Sequence, residues 1–471
     1  MTAKELRASI LDLAIRGKLI VSEGEWRTMK LSEACSSIVD CPHTTAPDQG
    51  EGYPLIRTSN VGFGKLLLDD VHRVSASVYK ERVGRGVPEP GDLIFAREAP
   101  AGNIAVIAEG ERVCLGQRTV LLKPKREVVD SKFLAYYVLS PSVQKVLVRK
   151  SIGSMVAHVN LAEIRPFQIQ LPPLAEQKRI VEKIEQVMPL VERYGQAEEK
   201  RRQLITALPE ALKKSILKSA VEGKLVPQDP NDEPAEKLLA RIAAEKEKLI
   251  KSGKLKKDKN ESVIFRGADR LAYETRDGET VCIEDELPFK IPKSWAWVRL
   301  GSICSFIHRG KSPQYSLVKK YPVVAQKCNQ WSGFCIEKAQ FIDPETISKY
   351  TQEQFLQNDD LLWNSTGLGT LGRMAMYATS LNPYKIAVAD SHVTVIRVLK
   401  GFVDPRYIFA YLTSPSVQST IEDKAEGSTK QKELATSAVI SYLVPLPPHA
   451  EQKRIVAQIE KMLKASAALT M

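Results

Sequence analysis

Residues 171–188 read LPPLAEQKRIVEKIEQVM and residues 446–463 read LPPHAEQKRIVAQIEKML, an 18-residue phrase written twice at an offset of 275 with 12 positions identical. A repeat of this length constrains the fold more than any composition does, because the chain must build one supersecondary unit twice. Each copy opens on Pro-Pro, which cannot extend a preceding element, and runs into charged amphipathic sequence. Each is therefore read as the start of a helix.

The repeat is wider than that helix. SPSVQ occurs at residues 140–144 and again at 414–418, and Gly153-Ser154 is matched by Gly427-Ser428, all at an offset of 274. Further upstream, YPLIRTSN (53–60) faces YPVVAQKCN (321–329), and GDLIF faces DDLLW at Asp92 and Asp360. Offsets that drift from 268 to 275 describe two diverged copies of one domain with loop insertions between fixed elements. Short β-branched runs such as NIAVIA, TVLLKP and HVTVIRVL, bounded by Gly, Pro, Asn or Asp, predict strands. Helices are expected around residues 131–149 and 405–421, so each copy is a mixed α/β globule.

Along the helix after Pro173, Ile180, Ile184, Val187 and Val191 step by 4, 3 and 4 residues, and the rhythm resumes at Leu208 and Leu212. Ile455, Ile459 and Met462 repeat the seam in the second copy. This heptad spacing suits a helical partner, and the two copies packing on each other would bury both seams. The alternative, in which each helix lies on its own domain, stays open. Pro189 and Pro209 are expected to kink or end a segment.

A smaller echo joins the ends. Residues 9–19 read SILDLAIRGKL and residues 215–225 read SILKSAVEGKL, at an offset of 206. The C-terminal helix thus copies the start of the long helix, and the N-terminal helix copies its end. The duplication is circular, with the chain cut inside one helix. After Leu225, VPQDPNDEP predicts a turn, AEKLLARIAAEKEKLIKSG a charged helix, and the residues to about Asp285 a polar linker.

With 471 residues the chain has room for two to four domains, and its hydrophobic fraction of 43% is that of a soluble globular protein. Its N-terminus shows neither a signal peptide nor an apolar span. Seven scattered cysteines without a CxxC pair point to reduced thiols in the cytoplasm rather than a disulfide framework or zinc site. The net charge of +12 is compatible with a polyanionic partner, although seven lysines between residues 246 and 259 read as a solvated helix end.

Motifs for catalysis are weak. Gly367 to Gly372 matches GxGxxG, but no helix-forming sequence follows, so a nucleotide loop is not supported. Asn382-Pro383-Tyr384 lacks the second proline of an amino-methyltransferase motif. Glu198-Glu199-Lys200 lies on the long helix, away from any strand pair. The six histidines show no ligand spacing. The expectation is a protein that is not an enzyme and binds no metal.

ELPFKIPKSWAWVRLGSI (286–303), SILKSAVEGKLVPQDPNDEPAEKLLARI (215–242) and LPPLAEQKRIVEKIE (171–185) resemble the specificity (S) subunit of a Type I DNA restriction-modification system. The resemblance covers essentially the whole chain in order. It implies an α+β fold: two pseudo-two-fold-related mixed α/β target-recognition domains separated by a long antiparallel helical (coiled-coil) spacer, circularly organised as a repeat. On that pattern residues 1–22 are an N-terminal helix completing the distal spacer, 23–170 the first recognition domain and 171–226 the central helix. Residues 227–284 are the turn, charged helix and linker, 285–445 the second recognition domain, and 446–471 the C-terminal helix, which stops short of the family's usual length. Each domain is expected to read one half of a split site on double-stranded DNA. Two modification (M) subunits would bind S-adenosylmethionine and methylate adenine N6, and restriction (R) subunits would use ATP and magnesium. This chain would bind none of those cofactors. An uninterrupted helix of about 50 residues would span about 75 Å, enough to act as a ruler between two readers.

Candidate base readers are polar residues on loops matched between the copies. They are His43, Thr44, Arg57, Ser59, Asn60, Arg97 and Arg118 in the first domain. In the second they are Lys311, Gln326, Lys327, Asn329, Asn364, Ser365 and Arg373. Arg and Lys suit guanine O6 and N7, and Asn and Gln suit adenine N6 and N7. A self-contained DNA methyltransferase and a coiled-coil scaffold that binds no DNA are the competing readings.

Overall fold

A computed structural model describes residues 1–148, 158–256, 262–367, 369–427 and 432–468. The pair Gly153-Ser154, together with Ser428, Leu368 and the last three residues, lies outside the described residues. The chain divides into two compact units, Met1–Leu204 and Ile205–Met471. The division falls inside a single helix of 48 residues, Leu174–Val221. The circular repeat is therefore also a tandem one whose junction lies within that helix. Each unit begins with a helix ending in GKL, continues through a mixed α/β domain, and ends on the helix opened by Pro-Pro.

Both domains carry the same sheet. In the first unit the strand order is Cys35–Asp40, Thr119–Pro124, Leu93–Ala96, Ile104–Val106, then a short parallel edge at Gly64–Lys65. In the second unit it is Cys304–Arg309, Val393–Val398, Leu361–Asn364, Met374–Met376. The middle strands are nearly continuous runs of Val, Ile, Leu and Thr because both of their faces are covered. Even a register irregularity recurs, between Cys35 and Ser37 and between Cys304 and Phe306. A smaller sheet places Tyr53–Ile56 parallel to Cys114–Leu115, matched by Pro322–Val324 beside Val388–Ala389. A two-stranded ribbon ties Arg27–Lys30 to Gln168–Leu171, and Ala296–Arg299 to Leu443–Leu446.

Register corrects one alignment. The Leu67 N–H donates to the Asn60 carbonyl at 2.9 Å, and the Cys335 N–H donates to the Cys328 carbonyl at 2.9 Å. Cys328, rather than Asn329, is thus the counterpart of Asn60.

The repeated phrases are joints. Gln144 donates to the Gly102 and Val138 carbonyls at 2.8 and 2.7 Å, and Gln418 donates to those of Gly372 and Leu412 at 3.1 and 2.7 Å. The glutamine of AEQK, wholly buried in both copies, accepts a helix-capping backbone N–H and donates to the Pro-Pro carbonyl. Gln177 does so with Asp130 (2.9 Å) and Pro172 (2.9 Å), and Gln452 with Asp404 (2.8 Å) and Pro447 (3.0 Å). At the other joint, Gly17 and Gly223 adopt φ of 64° and 71°. The following N–H groups reach back, Lys18 to Leu13 and Lys224 to Ser219, both at 2.9 Å, closing a helix as only glycine does without strain.

Within each unit the seam packs on a domain and on a second helix at once. Ile180 and Ile184 pack into one core with Leu11, Phe133, Leu134 and Val138 of their own unit. Ile455 and Ile459, with Met462 alongside, pack with Tyr407, Tyr411 and Leu217 of theirs. Each buried isoleucine contributes about 1.5–3 kcal/mol to seating its helix on its own domain. Val191 is buried, Val187 and Leu212 half-buried, and Leu208 exposed. The helix also runs through Pro189 and Pro209 without ending. Their rings remove N–H partners from the Glu185 and Ile205 carbonyls, and both of those residues are exposed, so water can solvate the freed oxygens.

A second correction concerns the linker. After the helix Ala235–Lys251, the stretch expected to be a polar linker holds a three-stranded antiparallel sheet, Ser262–Arg266, Ala272–Arg276 and Glu279–Cys282. Asp277-Gly278 supplies the tight turn, with φ of 52° and 84°. Glu274 anchors the sheet on the ribbon strand, accepting from Arg299 Nε at 3.0 Å and Nη2 at 2.6 Å. Burial alone would raise its carboxyl, but the guanidinium holds it at about 2.

Candidate nucleic-acid interface

In each domain the same loops meet along one edge of the sheet. In the first, the Arg97 N–H donates to the Arg118 carbonyl (2.9 Å), Gly116 to Ile56 (2.8 Å), Cys41 to Thr119 (3.3 Å) and Val159 to Arg97 (3.0 Å). The second repeats all four: Ser365 to His392 (2.9 Å), Asp390 to Val324 (3.0 Å), Gly310 to Val393 (3.0 Å) and Leu434 to Ser365 (2.8 Å). One backbone frame thus presents two different sets of side chains.

The first edge carries a charged network. Arg97 is largely buried, with Nη1 at 3.3 Å from Asp40 and Nε donating to the Val159 carbonyl at 3.0 Å. His158 bridges Arg97 (3.4 Å) and Glu98 (2.9 Å), and Glu98 pairs with the exposed Arg118. His43, exposed, lies 3.4 Å from Asp40. Thr44 is exposed at its side chain while its carbonyl accepts from Arg82 at 2.8 Å. Ser59 is exposed and Arg57 half-buried, its Nε without a hydrogen-bond partner.

The second edge carries a different set, in which amides stand beside the ion pairs Arg309–Glu433 and His392–Asp390. Gln326 donates to Thr366 and to Thr370 Oγ1 at 3.2 Å. Arg373 reaches the Gly369 carbonyl at 3.1 Å and Gln330 at 3.4 Å. Lys327 is exposed, and Lys311 donates to the Lys349 carbonyl at 2.6 Å over the Tyr350 ring.

Four expected base readers are turned inward. Asn60 accepts from the Arg57 N–H (3.1 Å) and donates to the Leu67 carbonyl (3.2 Å). Asn329 and Asn364 are wholly buried and bonded to each other at 2.8 Å, and Ser365, also buried, bonds Thr394 and the Trp363 carbonyl. A base edge cannot reach a side chain sealed under its own sheet. These residues hold the loops instead, and Arg97 acts with them.

His392, not among the expected base readers, lies on the same edge. It is exposed, Nδ1 lies 2.6 Å from Asp390, and register makes it the counterpart of Arg118. The signal was present in the residue immediately preceding each central strand. Trp331 is exposed in the turn of the hairpin that pairs Asn329 with Phe334.

Gly367 to Gly372 leads into the strand Met374–Met376, and Asn382 is a buried partner of Tyr377 Oη at 2.7 Å. Among the described residues no group of three or more His, Cys, Asp and Glu is placed to hold a metal, and no helix is long and apolar enough to cross a membrane. All seven cysteines are free, and burial pushes the Cys35 thiol up to about 12.

Comparison with known proteins agrees with this two-copy frame. The family model for the Type I restriction modification DNA specificity domain matches residues 23–196 and 292–470. The EcoEI specificity subunit of Escherichia coli is 31% identical over 255 residues, covering 54% of this chain and 39% of that protein. The EcoAI specificity subunit, also of Escherichia coli, is 27% identical over 429 residues, covering 79% and 67%. The matched stretch is thus well under half of the EcoEI protein. The crystal structure of the HsdS subunit from Thermoanaerobacter tengcongensis shares the fold, with a TM-score of 0.51 at 18% identity over 95% of this chain and 91% of that one. With both copies of the domain matched, over well more than half its length, the chain belongs to the Type I restriction modification DNA specificity domain family.

Proposed function

We propose that this chain is the DNA-recognition subunit of a Type I restriction-modification complex, acting in the cytoplasm and catalysing nothing itself. The first domain reads one half of a bipartite site and the second reads the other. The long helix, with the N- and C-terminal helices, forms the spacer that sets the number of unread bases between them. Modification subunits carrying S-adenosylmethionine methylate adenine N6, and restriction subunits use ATP and magnesium.

The observation that carries this reading is the pairing of one backbone frame with two unlike loop edges. Such an arrangement suits two readers of different sequences held by common machinery. The net charge of +12 and the exposed Arg118, Lys311 and Lys327 support a phosphate-bearing partner. Adenines must leave the stack to be methylated, so deformation of the duplex would add to direct contacts.

The chain coexpressed with its modification subunit is expected to yield N6-methyladenine at one bipartite motif in methylome sequencing. Methylation at a continuous site would sink the proposal. Exchange of residues 23–170 for another recognition domain is expected to change one half-site and leave the other intact.

A further inference from the structure

The register of the two central strands equates Arg118 with His392. Asp40 pairs with Val120 as Arg309 pairs with Thr394, and Ala96 pairs with Thr119 as Asn364 pairs with Val393. The supporting frame is the same around both: a buried Asp92 meets Lys123 at 2.9 Å where Asp360 meets Arg397 at 2.7 Å. The neighbours on the loop edge are different. Asp40 becomes Arg309, Glu98 becomes Thr366, and His158 becomes Glu433, the last equated by the matching bridges of Glu98 to His158 and Thr366 to Glu433. Arg309 and Glu433 then pair with each other, so each edge forms its own closed set of contacts.

Within that edge, Arg118 and His392 share two properties. Both side chains reach solvent, 65% and 55% exposed. Both are aimed by a carboxylate of their own domain, Arg118 by Glu98 and His392 by Asp390. Arg118 also sits at φ 63°, a backbone conformation that residues with a side chain keep only when the surroundings impose it. Its N–H lies 3.1 Å from the buried Cys41 sulfur, which holds it there.

We propose that this equivalent position is the base-reading position of each domain, with Arg118 and His392 each setting one base of a half-site. The proposal rests on the DNA-recognition reading above and deepens it. Arg118 presents the paired donors that match guanine O6 and N7. With Nδ1 2.6 Å from the Asp390 carboxylate, the neutral tautomer that donates Nδ1–H there keeps Nε2 as an acceptor. An acceptor there selects the exocyclic amine of adenine or cytosine. Glu98 and Asp390 are positioning residues: they fix the direction of the reader without themselves reaching a base.

The test uses the assembled complex of this chain with its modification subunits and a panel of duplexes in which each base pair of the methylated site is replaced in turn. Arg118→Ala is expected to lower discrimination at a single guanine of one half-site by about ten- to a hundred-fold, leaving the other half-site unchanged. His392→Ala is expected to do the same at one adenine or cytosine of the opposite half-site, and the panel tells which. Glu98→Gln, which keeps the arginine but loosens its anchor, is expected to relax the same base pair as Arg118→Ala. It serves as the readout if that variant fails to assemble. Unchanged base preference in these variants would overturn the proposal, as would a uniform loss across all sequences with a shallower salt dependence, the mark of a phosphate contact. A wild-type complex that selects no bipartite site is a distinct result and would count against the recognition reading itself.

Discussion

Replacement of Gln452 by alanine tests whether the repeated AEQK phrase is a joint. The side chain is wholly buried and satisfies two backbone groups, the Asp404 N–H at 2.8 Å and the Pro447 carbonyl at 3.0 Å. Truncation leaves both groups buried without a partner, at about 1–3 kcal/mol each. The loss of stability in the second unit is therefore about 2–6 kcal/mol, reduced if water enters the space. Gln177→Ala is expected to cost the first unit a similar amount, because Asp130 and Pro172 occupy the same two roles. Gln452→Glu does not rescue the joint, since a carboxylate cannot donate to the Pro447 carbonyl and burial penalises its charge. Hydrogen exchange resolved by peptide locates the effect: amides of Pro405–Leu412 and Leu443–Leu446 are expected to exchange faster, while those of the first unit stay protected. A Gln452→Ala protein that loses less than about 0.5 kcal/mol, with unchanged exchange in those two segments, would refute the assignment.

Gly223→Ala is expected to destabilise the second unit by more than about 1 kcal/mol in denaturant titration, because φ is 71° and the new Cβ would lie 2.4 Å from Pro292. The carboxyl of Glu274, held at about 2, favours the folded state above the usual carboxylate range, and this contribution fades as pH falls through about 2. Acid titration of Glu274→Gln is therefore expected to show lower stability at neutral pH and a shallower loss on acidification than the wild type. Of the seven thiols, exposed Cys282 is expected to react first with an alkylating agent under native conditions, and the buried Cys35, Cys41, Cys114, Cys304 and Cys328 to stay unmodified. Mass spectrometry of the labelled peptides would show the opposite order if the Glu279–Cys282 strand were covered.

Much of the organisation is readable from residues 171–188 and 446–463 alone, since a second copy of a helix start demands a second copy of the domain it serves. The strands TVLLKP and HVTVIRVL are equally plain, because a strand covered on both faces must be apolar throughout. The three-stranded sheet after Lys251 is hidden by the lysine-rich run before it, although SVIFR and the hairpin signal Asp277-Gly278 both stand in the sequence. The candidate site was less legible. Asn329, Asn364 and Ser365 look like base readers by residue type, yet they are sealed inside, while His392 carries the exposed position. Residue type states what a side chain can bond; only the packing around it decides whether a ligand can reach it.

The duplication, the family and the two-domain plan were determined by the sequence itself, because repeated spacing of apolar and turn-forming residues survives wherever the same backbone must be rebuilt. The tertiary structure decided what the repeated residues are for. Ile180 and Ile184 could serve a helical partner or their own domain equally well on periodicity alone, and the core that takes them in holds both, Phe133 and Val138 of the domain and Leu11 of the N-terminal helix. The equivalence of Arg118 and His392 is likewise fixed by strand register, since hydrogen bonding across a sheet aligns residues that share neither identity nor charge.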